Sequence, residues 1–225
     1  MTLINMLIIL GVGFVLMLYY TDKRIFVFSK YAISPESIDS FVTLHFVHGV
    51  MPKREAGQYV PFIKTFLLKM KENSMSGTVV MQIDRHVYGF RSKDQHNWMH
   101  LVPNGHGEHL NGEFYKQTFL AWLDETVGEN TTSVKVPVTA EQKKELTDIY
   151  TKYIEHTPYD YAFVGMGSAS AMYEVLAKAK MVFPQESNAR YALNAFYPKA
   201  FREKVLAWAK YNNFEITTKS AQIQT

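Results

Sequence analysis

The feature that most constrains this chain is a hydrophobic run at its N-terminus, from Leu3 to Tyr20. Asn5 is its only strongly polar residue, and the charged residues Asp22 to Arg24 end it. A helix of about eighteen residues spans about 27 Å, slightly less than the roughly 30 Å hydrocarbon core of a bilayer. The run therefore predicts a transmembrane anchor over residues 1–22, with residues 3–20 in the lipid bilayer.

Two other interpretations of this run stay open: a cleaved signal peptide and a buried core helix. A signal peptide carries a basic region before its apolar run and a small-residue cleavage site after it. Here no basic side chain precedes the run, and Tyr-Tyr-Thr-Asp follows it. We therefore favour a retained, single-pass membrane anchor. Lys23, Arg24 and Lys30 follow the run, and by the positive-inside rule they favour a cytoplasmic domain.

The remaining chain has the composition of one folded domain. Of the 225 residues, 47% are hydrophobic and 20% are charged, which is typical of a globular protein and large enough for one core. The net charge of +3 does not predict binding to nucleic acid. Cysteine is absent, which excludes disulfides, thiolate metal sites and a cysteine nucleophile. We expect a connector at 23–37, a domain at 38–218 and a flexible tail at 219–225.

The first predicted strand carries two histidines. Phe41 to Val50 is rich in β-branched and aromatic residues, which is typical of a strand. His45 and His48 are three residues apart, so on a strand they face opposite sides of the sheet. That spacing argues against a shared metal site. Further on, residues 78–83 and 86–90 show two short strand patterns, which predict a hairpin.

The clearest helix start is Thr139, with Gln142 three residues later as a capping-box partner. Periodic apolar residues predict further elements, with helices at 60–71, 114–127, 139–156, 169–179 and 198–211 and strands at 134–138 and 214–217. Strands and helices mix without a regular alternation of parallel strands and crossover helices. The pattern predicts an α+β domain.

Two short motifs hold residues with catalytic or binding chemistry. Residues 105–109 read Gly-His-Gly-Glu-His, but their spacing lacks the helical i, i+4 geometry of a zinc-binding His-Glu-x-x-His motif. We favour a solvated loop there, and no metal ion or cofactor is predicted. Residues 165–170 read Gly-Met-Gly-Ser-Ala-Ser and precede a predicted helix. Ser168 or Ser170 as a helix N-cap is favoured, and a nucleophile or a phosphate site at the helix start is the alternative.

A set of short motifs along the chain carries a family resemblance. They are Val136-Pro-Val-Thr139-x-x-Gln142, Pro158-Tyr-Asp-Tyr-Ala-Phe163, Gly165-Met166, Ser168-Ala-Ser170 and Tyr173-Glu-Val-Leu176. Together they resemble the circularly permuted, papain-like branch of the NlpC/P60 superfamily, which includes the lecithin:retinol acyltransferase-like proteins. The similarity covers about residues 41–217 and is most specific over residues 136–176. It implies a papain-like α+β domain with a small antiparallel sheet packed by helices.

The resemblance also implies a catalytic pair, which this chain departs from at both positions. The family uses a Cys thiolate activated by His. Ser168 stands where the Cys is expected, and Thr78 stands where the His is expected. A serine hydroxyl is far less ionised than a thiol and depends more on a general base, and threonine cannot be that base. The usual catalytic pair is therefore predicted to be lost.

Other residues could restore a base beside Ser168. His86 could approach from the predicted hairpin, or His106 or His109 from the loop, with Asp84 or Asp160 orienting the base. General-base catalysis needs the base and the nucleophile within about 3 Å of each other. The sequence does not establish that geometry.

Three functions follow as expectations. The favoured one is a membrane-anchored, catalytically degenerate domain that binds a peptide, a cell-wall or lipid-like ligand, or a protein partner. The second is an active amidase, peptidase or acyltransferase that uses Ser168. The third is a membrane-tethered assembly subunit of a larger complex. No nucleic acid partner is expected. Because the family's wall hydrolases suggest an extracytoplasmic domain and the flanking charges a cytoplasmic one, the side of the membrane stays open.

Overall fold

The computed structural model describes residues 10–11, 13, 40–48, 77–93, 111–161, 166–182 and 198–220. Within these ranges the strands are β1 (Ser40–His48), β2 (Gly77–Ile83), β3 (His86–Ser92), β4 (Gly112–Thr118), β5 (Thr131–Val138) and β6 (Glu215–Lys219). The helices are α1 (Phe119–Glu125), α2 (Ala140–Glu155), α3 (Ser168–Lys178) and α4 (Pro198–Tyr211).

The six strands form one antiparallel sheet in the order β4-β3-β2-β1-β5-β6. Strand β1 lies near its centre, pairing with β2 on one side and β5 on the other. Strand β6 extends the sheet beyond β5 and ends it. The predicted α+β class and the antiparallel sheet are confirmed.

Each face of the sheet packs against a different set of helices. One face, here called the three-helix face, packs against α2, α3 and α4, and its core includes Leu44, Phe46 and Met81. The other, here called the one-helix face, packs against α1, and its smaller core holds Val47, Val80, Val87 and Trp122. Neighbouring residues of one strand belong to different faces because side chains alternate along a strand.

The predicted hairpin is confirmed between β2 and β3. Asp84 and Arg85 form its turn, and Asp84 has a φ of +54°. This left-handed conformation is disfavoured for most side chains but is adopted by Asp and Asn more readily than by bulkier residues. The register pairs Ile83 with His86 at the turn.

The capping box of α2 is also confirmed. The Gln142 N–H donates to Thr139 Oγ1 at 3.1 Å, and the Thr139 N–H donates to Gln142 Oε1 at 3.0 Å. The helices predicted at 169–179 and 198–211 and the strands predicted at 41–50, 134–138 and 214–217 are found within a few residues of their predicted bounds.

The helix predicted over residues 114–127 is wrong in its first part. Residues 112–118 form β4, and α1 contains only Phe119–Glu125. Leu120 and Val127, two of the apolar residues that suggested the helix, have exposed fractions of 73% and 70%. The alternation of Phe114 and Lys116 with Tyr115 fits a strand, and pairing with β3 decides the conformation.

Several predictions fall on residues that the structure does not describe. These are the helix at 60–71, the histidines at 96, 100, 106 and 109, and most of the predicted anchor. In the described ranges, which include only residues 10, 11 and 13 of that anchor, no helix is long and apolar enough to span a bilayer.

Candidate functional site

Ser168 is the first residue of α3. The helix N-cap is Gly167, and no side chain caps it. The prediction that Ser168 or Ser170 is the N-cap is therefore wrong. Ser168 has an exposed fraction of 4%, and Ser170 is fully buried. The first turns of α3 are thus packed into the core of the three-helix face.

Thr78 lies on the other face of the sheet. It is paired with Val47 of β1, and directly paired residues of an antiparallel sheet project to the same side. Val47 packs with Trp122 of α1. Ser168 and Thr78, the two positions singled out by the sequence resemblance, therefore belong to different faces: Ser168 to a helix on the three-helix face and Thr78 to the one-helix face.

His86 and Asp160 lie at opposite ends of the sheet. His86 begins β3 and pairs with Thr118 at the end of β4. Asp160 is buried, and its Oδ1 accepts from the Asn111 N–H at 2.9 Å, next to the start of β4. Because β4 rises about 3.4 Å per residue, roughly 20 Å separates its ends. Asp160 is too far from His86 to orient it.

The remaining residues proposed to restore a base make other contacts or lie outside the described ranges. Asp84 Oδ1 accepts from Lys143 Nζ at 2.5 Å on the surface of the hairpin turn. His106 and His109 are not described. Among the residues that the structure does describe, no group of three His, Asp or Glu side chains is placed to bind a metal ion.

A serine, a histidine and a glutamine are brought together on the one-helix face by three neighbouring strands. His45 of β1 lies directly opposite Ser133 of β5, and its Nδ1 is 2.8 Å from Ser133 Oγ. Its Nε2 is 2.9 Å from Oε1 of Gln82 on β2. We call these three residues the His45 relay. Each bond is within the range of a good hydrogen bond.

The hydrogen bonds of Gln82 fix the tautomer of His45. The Gln82 Nε2 donates to the Asp84 carbonyl at 2.9 Å, so the amide presents its oxygen to His45. An amide oxygen only accepts; therefore His45 Nε2 carries the proton and donates it. His45 Nδ1 is then the acceptor, and the Ser133 hydroxyl donates to it.

Burial lowers the pKa of His45, and the hydrogen bond to Gln82 offsets this only in part. The side chain has an exposed fraction of 6%, and its ring packs on Trp122 and Phe119 with centroids 4.7 and 5.5 Å away. Because desolvation disfavours the charged form, His45 is neutral at pH 7. A neutral imidazole with an unprotonated Nδ1 that accepts from a hydroxyl is the form required of a general base.

The second histidine of β1 makes a simpler contact. His48 Nε2 is 2.8 Å from Thr132 Oγ1 of β5, on the face opposite to His45, as the sequence spacing predicted. Burial lowers its pKa, and so does the nearby charge of Arg202. His48 thus also pairs with a hydroxyl, but in a more exposed position and beside a cation.

A second polar cluster connects α2, the following turn and α3. Glu174 accepts from Tyr159, and it also contacts Tyr153 at 3.3 Å and Lys178 at 3.1 Å. Burial and the hydrogen bond to Glu174 raise the pKa of Tyr159. Burial alone would lower the pKa of Lys178, but Tyr153 and Glu174 outweigh it and raise that pKa. This cluster holds the segment that carries Asp160 against α3.

Gly112 lets the same segment approach the sheet closely. A Cβ added there would lie 2.7 Å from the Tyr159 carbonyl oxygen and 2.6 Å from the Phe90 ring. The residue next along from Tyr159, Asp160, then bonds the Asn111 N–H. Asp160 is therefore a structural tie between this turn and β4.

The sequence prediction missed the His45 relay because its members are far apart in the chain. Gln82 and Ser133 are 37 and 88 residues from His45. The sequence pattern indicated only that His45 and His48 face opposite sides of one strand, and it gave no sign of their partners. Only the strand register brings the three side chains together.

Comparison with known proteins adds no assignment. No family model matches this chain, and no curated protein and no solved structure matches it significantly.

Proposed function

We propose that this chain is a membrane-anchored, papain-like domain that binds its ligand without turnover at the family's nucleophile position. The ligand is a peptide, a cell-wall fragment, a lipid-like molecule or a protein partner. The observation that carries the proposal is the separation of Ser168 and Thr78 onto different faces of the sheet. A nucleophile and base that work together lie within hydrogen-bond reach of each other.

Burial around Ser168 supports the same proposal. The first ten residues of α3 are all buried except Glu174, so the helix start is used for packing. Asp160 is bonded to the Asn111 backbone and is not free to orient a base. These contacts are those of a structural core, and in the proposed function the segment that resembles the family's active site serves as a packing element.

The proposed anchor is supported by the sequence alone. A charged residue near the centre of a transmembrane helix is strongly unfavourable. We therefore expect Ile9→Lys to move the full chain from the membrane fraction to the soluble fraction, and Ile9→Leu to leave it in the membrane fraction. Equal membrane retention of both variants after alkaline washing would contradict the anchor.

The binding proposal is tested with the full chain in mild detergent. Purified peptidoglycan is the first probe and phosphatidylcholine vesicles are the second. We expect the chain to co-sediment with peptidoglycan or float with the vesicles, without releasing soluble fragments or fatty acid, and Ser168→Ala to behave identically. If the unsubstituted chain releases product and Ser168→Ala does not, the proposal is contradicted. Chemical cross-linking in the membrane tests for a protein partner, and the proposal also fails if the chain binds neither probe and cross-links to no membrane protein.

A further inference from the structure

The His45 relay is a set of polar groups that the proposed function does not use. We infer that Ser133 is the activated hydroxyl of this chain and that it reacts with small acyl and phosphonyl electrophiles. In this arrangement His45 is the general base, and Gln82 is a positioning residue that orients it. Ser133, rather than Ser168, is then the nucleophilic serine.

The distances within the His45 relay fit a nucleophilic serine and its base. A serine and its base lie within about 2.6–3.2 Å of each other in working nucleophilic sites, and a third group orients the base. The distances of 2.8 Å from Ser133 Oγ to His45 Nδ1 and 2.9 Å from His45 Nε2 to Gln82 Oε1 meet both conditions. The Asp84 carbonyl fixes the Gln82 amide in turn.

The imidazole of His45 is held in one orientation by its neighbours. The His45 ring packs on Trp122 and Phe119 on the side of α1. Its two nitrogens are both hydrogen-bonded, so rotation of the ring would break two bonds in a buried site. A buried polar group that loses its hydrogen-bond partner destabilises the folded state. His45 is therefore held ready to accept a proton, without reorganisation.

The hydroxyl of Ser133 is more accessible than the imidazole of His45. Ser133 is half-buried, whereas His45 is buried. On the side away from α1, Ser133 is paired with Thr217 of β6, which is exposed. Among the described residues, the exposed Thr217 leaves an approach to Ser133 over β6, while α1 packs on His45 on the other side. That shape favours small reagents and substrates with a slim acyl group.

The reaction balances without any added oxidant, reductant or metal. The Ser133 Oγ–H bond breaks and its proton moves to His45 Nδ1, while Oγ bonds to the carbonyl carbon or phosphorus. The leaving group departs with its electron pair, and it takes the proton from Nδ1 or the proton passes to solvent. The resulting imidazolium keeps its Nε2–H bond to Gln82 Oε1. Because Gln82 is neutral, it stabilises this cation less than a carboxylate would, so we expect slow reaction.

A fluorophosphonate probe and the full chain in mild detergent test the inference. We expect a covalent adduct at Ser133, located by mass spectrometry of peptides, that is absent in Ser133→Ala. His45→Gln should reduce the labelling rate at least tenfold. Thr132→Val and His48→Gln are matched controls on the opposite face, and labelling should stay within twofold of the unsubstituted chain.

The dependence of labelling on pH tests the base without relying on a variant that could unfold. In the unsubstituted chain the rate should fall on the acid side as His45 gains a proton. Gln82→Glu should shift that midpoint to higher pH, because a carboxylate favours the imidazolium. An unchanged midpoint would show that residue 82 does not contact the base that controls labelling, and that result would overturn the role assigned to Gln82.

The outcomes separate this inference from the proposed function. No adduct at Ser133 in the folded chain, or full labelling in folded His45→Gln, overturns the inference and leaves the proposed binding function standing. An adduct at Ser168 that Ser168→Ala removes overturns both, because it shows turnover chemistry at the family position.

Discussion

The two faces of the central sheet bury different kinds of side chain. On the three-helix face, β1 contributes Val42, Leu44 and Phe46, and the core is aliphatic and aromatic. On the one-helix face, the same strand contributes His45 at the middle of a polar relay with a hydrophobic cluster beside it. The three-helix face gains stability from burial of apolar side chains, and this gain is roughly proportional to the apolar area buried. The one-helix face contributes specificity of strand register, because the hydrogen bonds of the His45 relay require one alignment of β1, β2 and β5.

The difference has a consequence for strand register. A one-residue slip of a strand moves all of its side chains to the opposite face. Slippage of β1 would place His45 in the core against α3 and α4, without Gln82 or Ser133. An unpaired polar group in such a core is strongly unfavourable. The relay therefore opposes misregistration in addition to any chemistry at Ser133.

The largest expected effects come from the aromatic residues at the centre of each core. Phe201 is fully buried and contacts Phe46 and Tyr173, so Phe201→Ala should lower the free energy of unfolding by about 3–5 kcal/mol. Trp122→Ala should lower it by less, because α1 is short and can move into the space. Chemical denaturation monitored by circular dichroism measures both. A larger loss for Trp122→Ala would reverse the ranking of the two faces.

The next effect compares the two histidines. His45→Leu leaves Ser133 and Gln82 without their partner, and we expect a loss of about 2–4 kcal/mol from two unsatisfied groups. His48→Leu disrupts one contact, to Thr132, in a more exposed site, and should change stability by less than about 1 kcal/mol. The denaturant midpoints of the two variants measure this difference. Equal losses of unfolding free energy in both variants would show that the His45 relay has no special structural role.

How far the sequence predicts this molecule depends on how local each feature is. The capping box of Thr139 and Gln142 and the hairpin turn at Asp84 depend on residues within four positions of each other, and both were predicted. Strand β4 was assigned to a helix, because Phe119 and Leu123 extend its apolar residues into a helical pattern. Its pairing with β3, which lies about twenty residues earlier, is what makes it a strand.

The candidate site was predicted less well for the same reason. The resemblance directed attention to Ser168 and Thr78, whose relation depends on which face each occupies. That information is in the register of β1 with β2 and not in any motif. The three members of the His45 relay come from three strands in different parts of the chain, and each of them looks ordinary in its own segment.

A smaller effect is expected at the two helix caps. Thr139 forms a complete capping box at α2, on the three-helix face. Thr118 caps α1 with a single, longer bond to the Ala121 N–H of 3.3 Å. Thr139→Ala should therefore cost about 1 kcal/mol, and Thr118→Ala should cost less. Thermal unfolding of both variants is the measurement, with Thr139→Ser as a control that keeps the hydroxyl and should retain most of the stability.

The smallest effect is the dependence of stability on pH. Because the pKa of His45 is lowered below 6.5 in the folded chain, the unfolded chain binds a proton first as the pH falls. The contribution of His45 is complete above pH 6.5 and is lost as the pH falls through the folded pKa. His45→Gln should make stability less sensitive to acid in this window, and His48→Gln should do so to a smaller extent. Urea unfolding at several pH values tests the order, and an unchanged slope in His45→Gln would contradict it.

The protonation state of His45 tests the two-face account most directly. Long-range ¹H–¹⁵N spectra of the full chain, labelled at histidine and held in mild detergent at pH 7, distinguish the two imidazole nitrogens. We predict a neutral ring with the proton on Nε2 and a bare Nδ1 that accepts from Ser133. A proton on Nδ1, or an imidazolium at this pH, would contradict the relay and the contrast between the faces that rests on it.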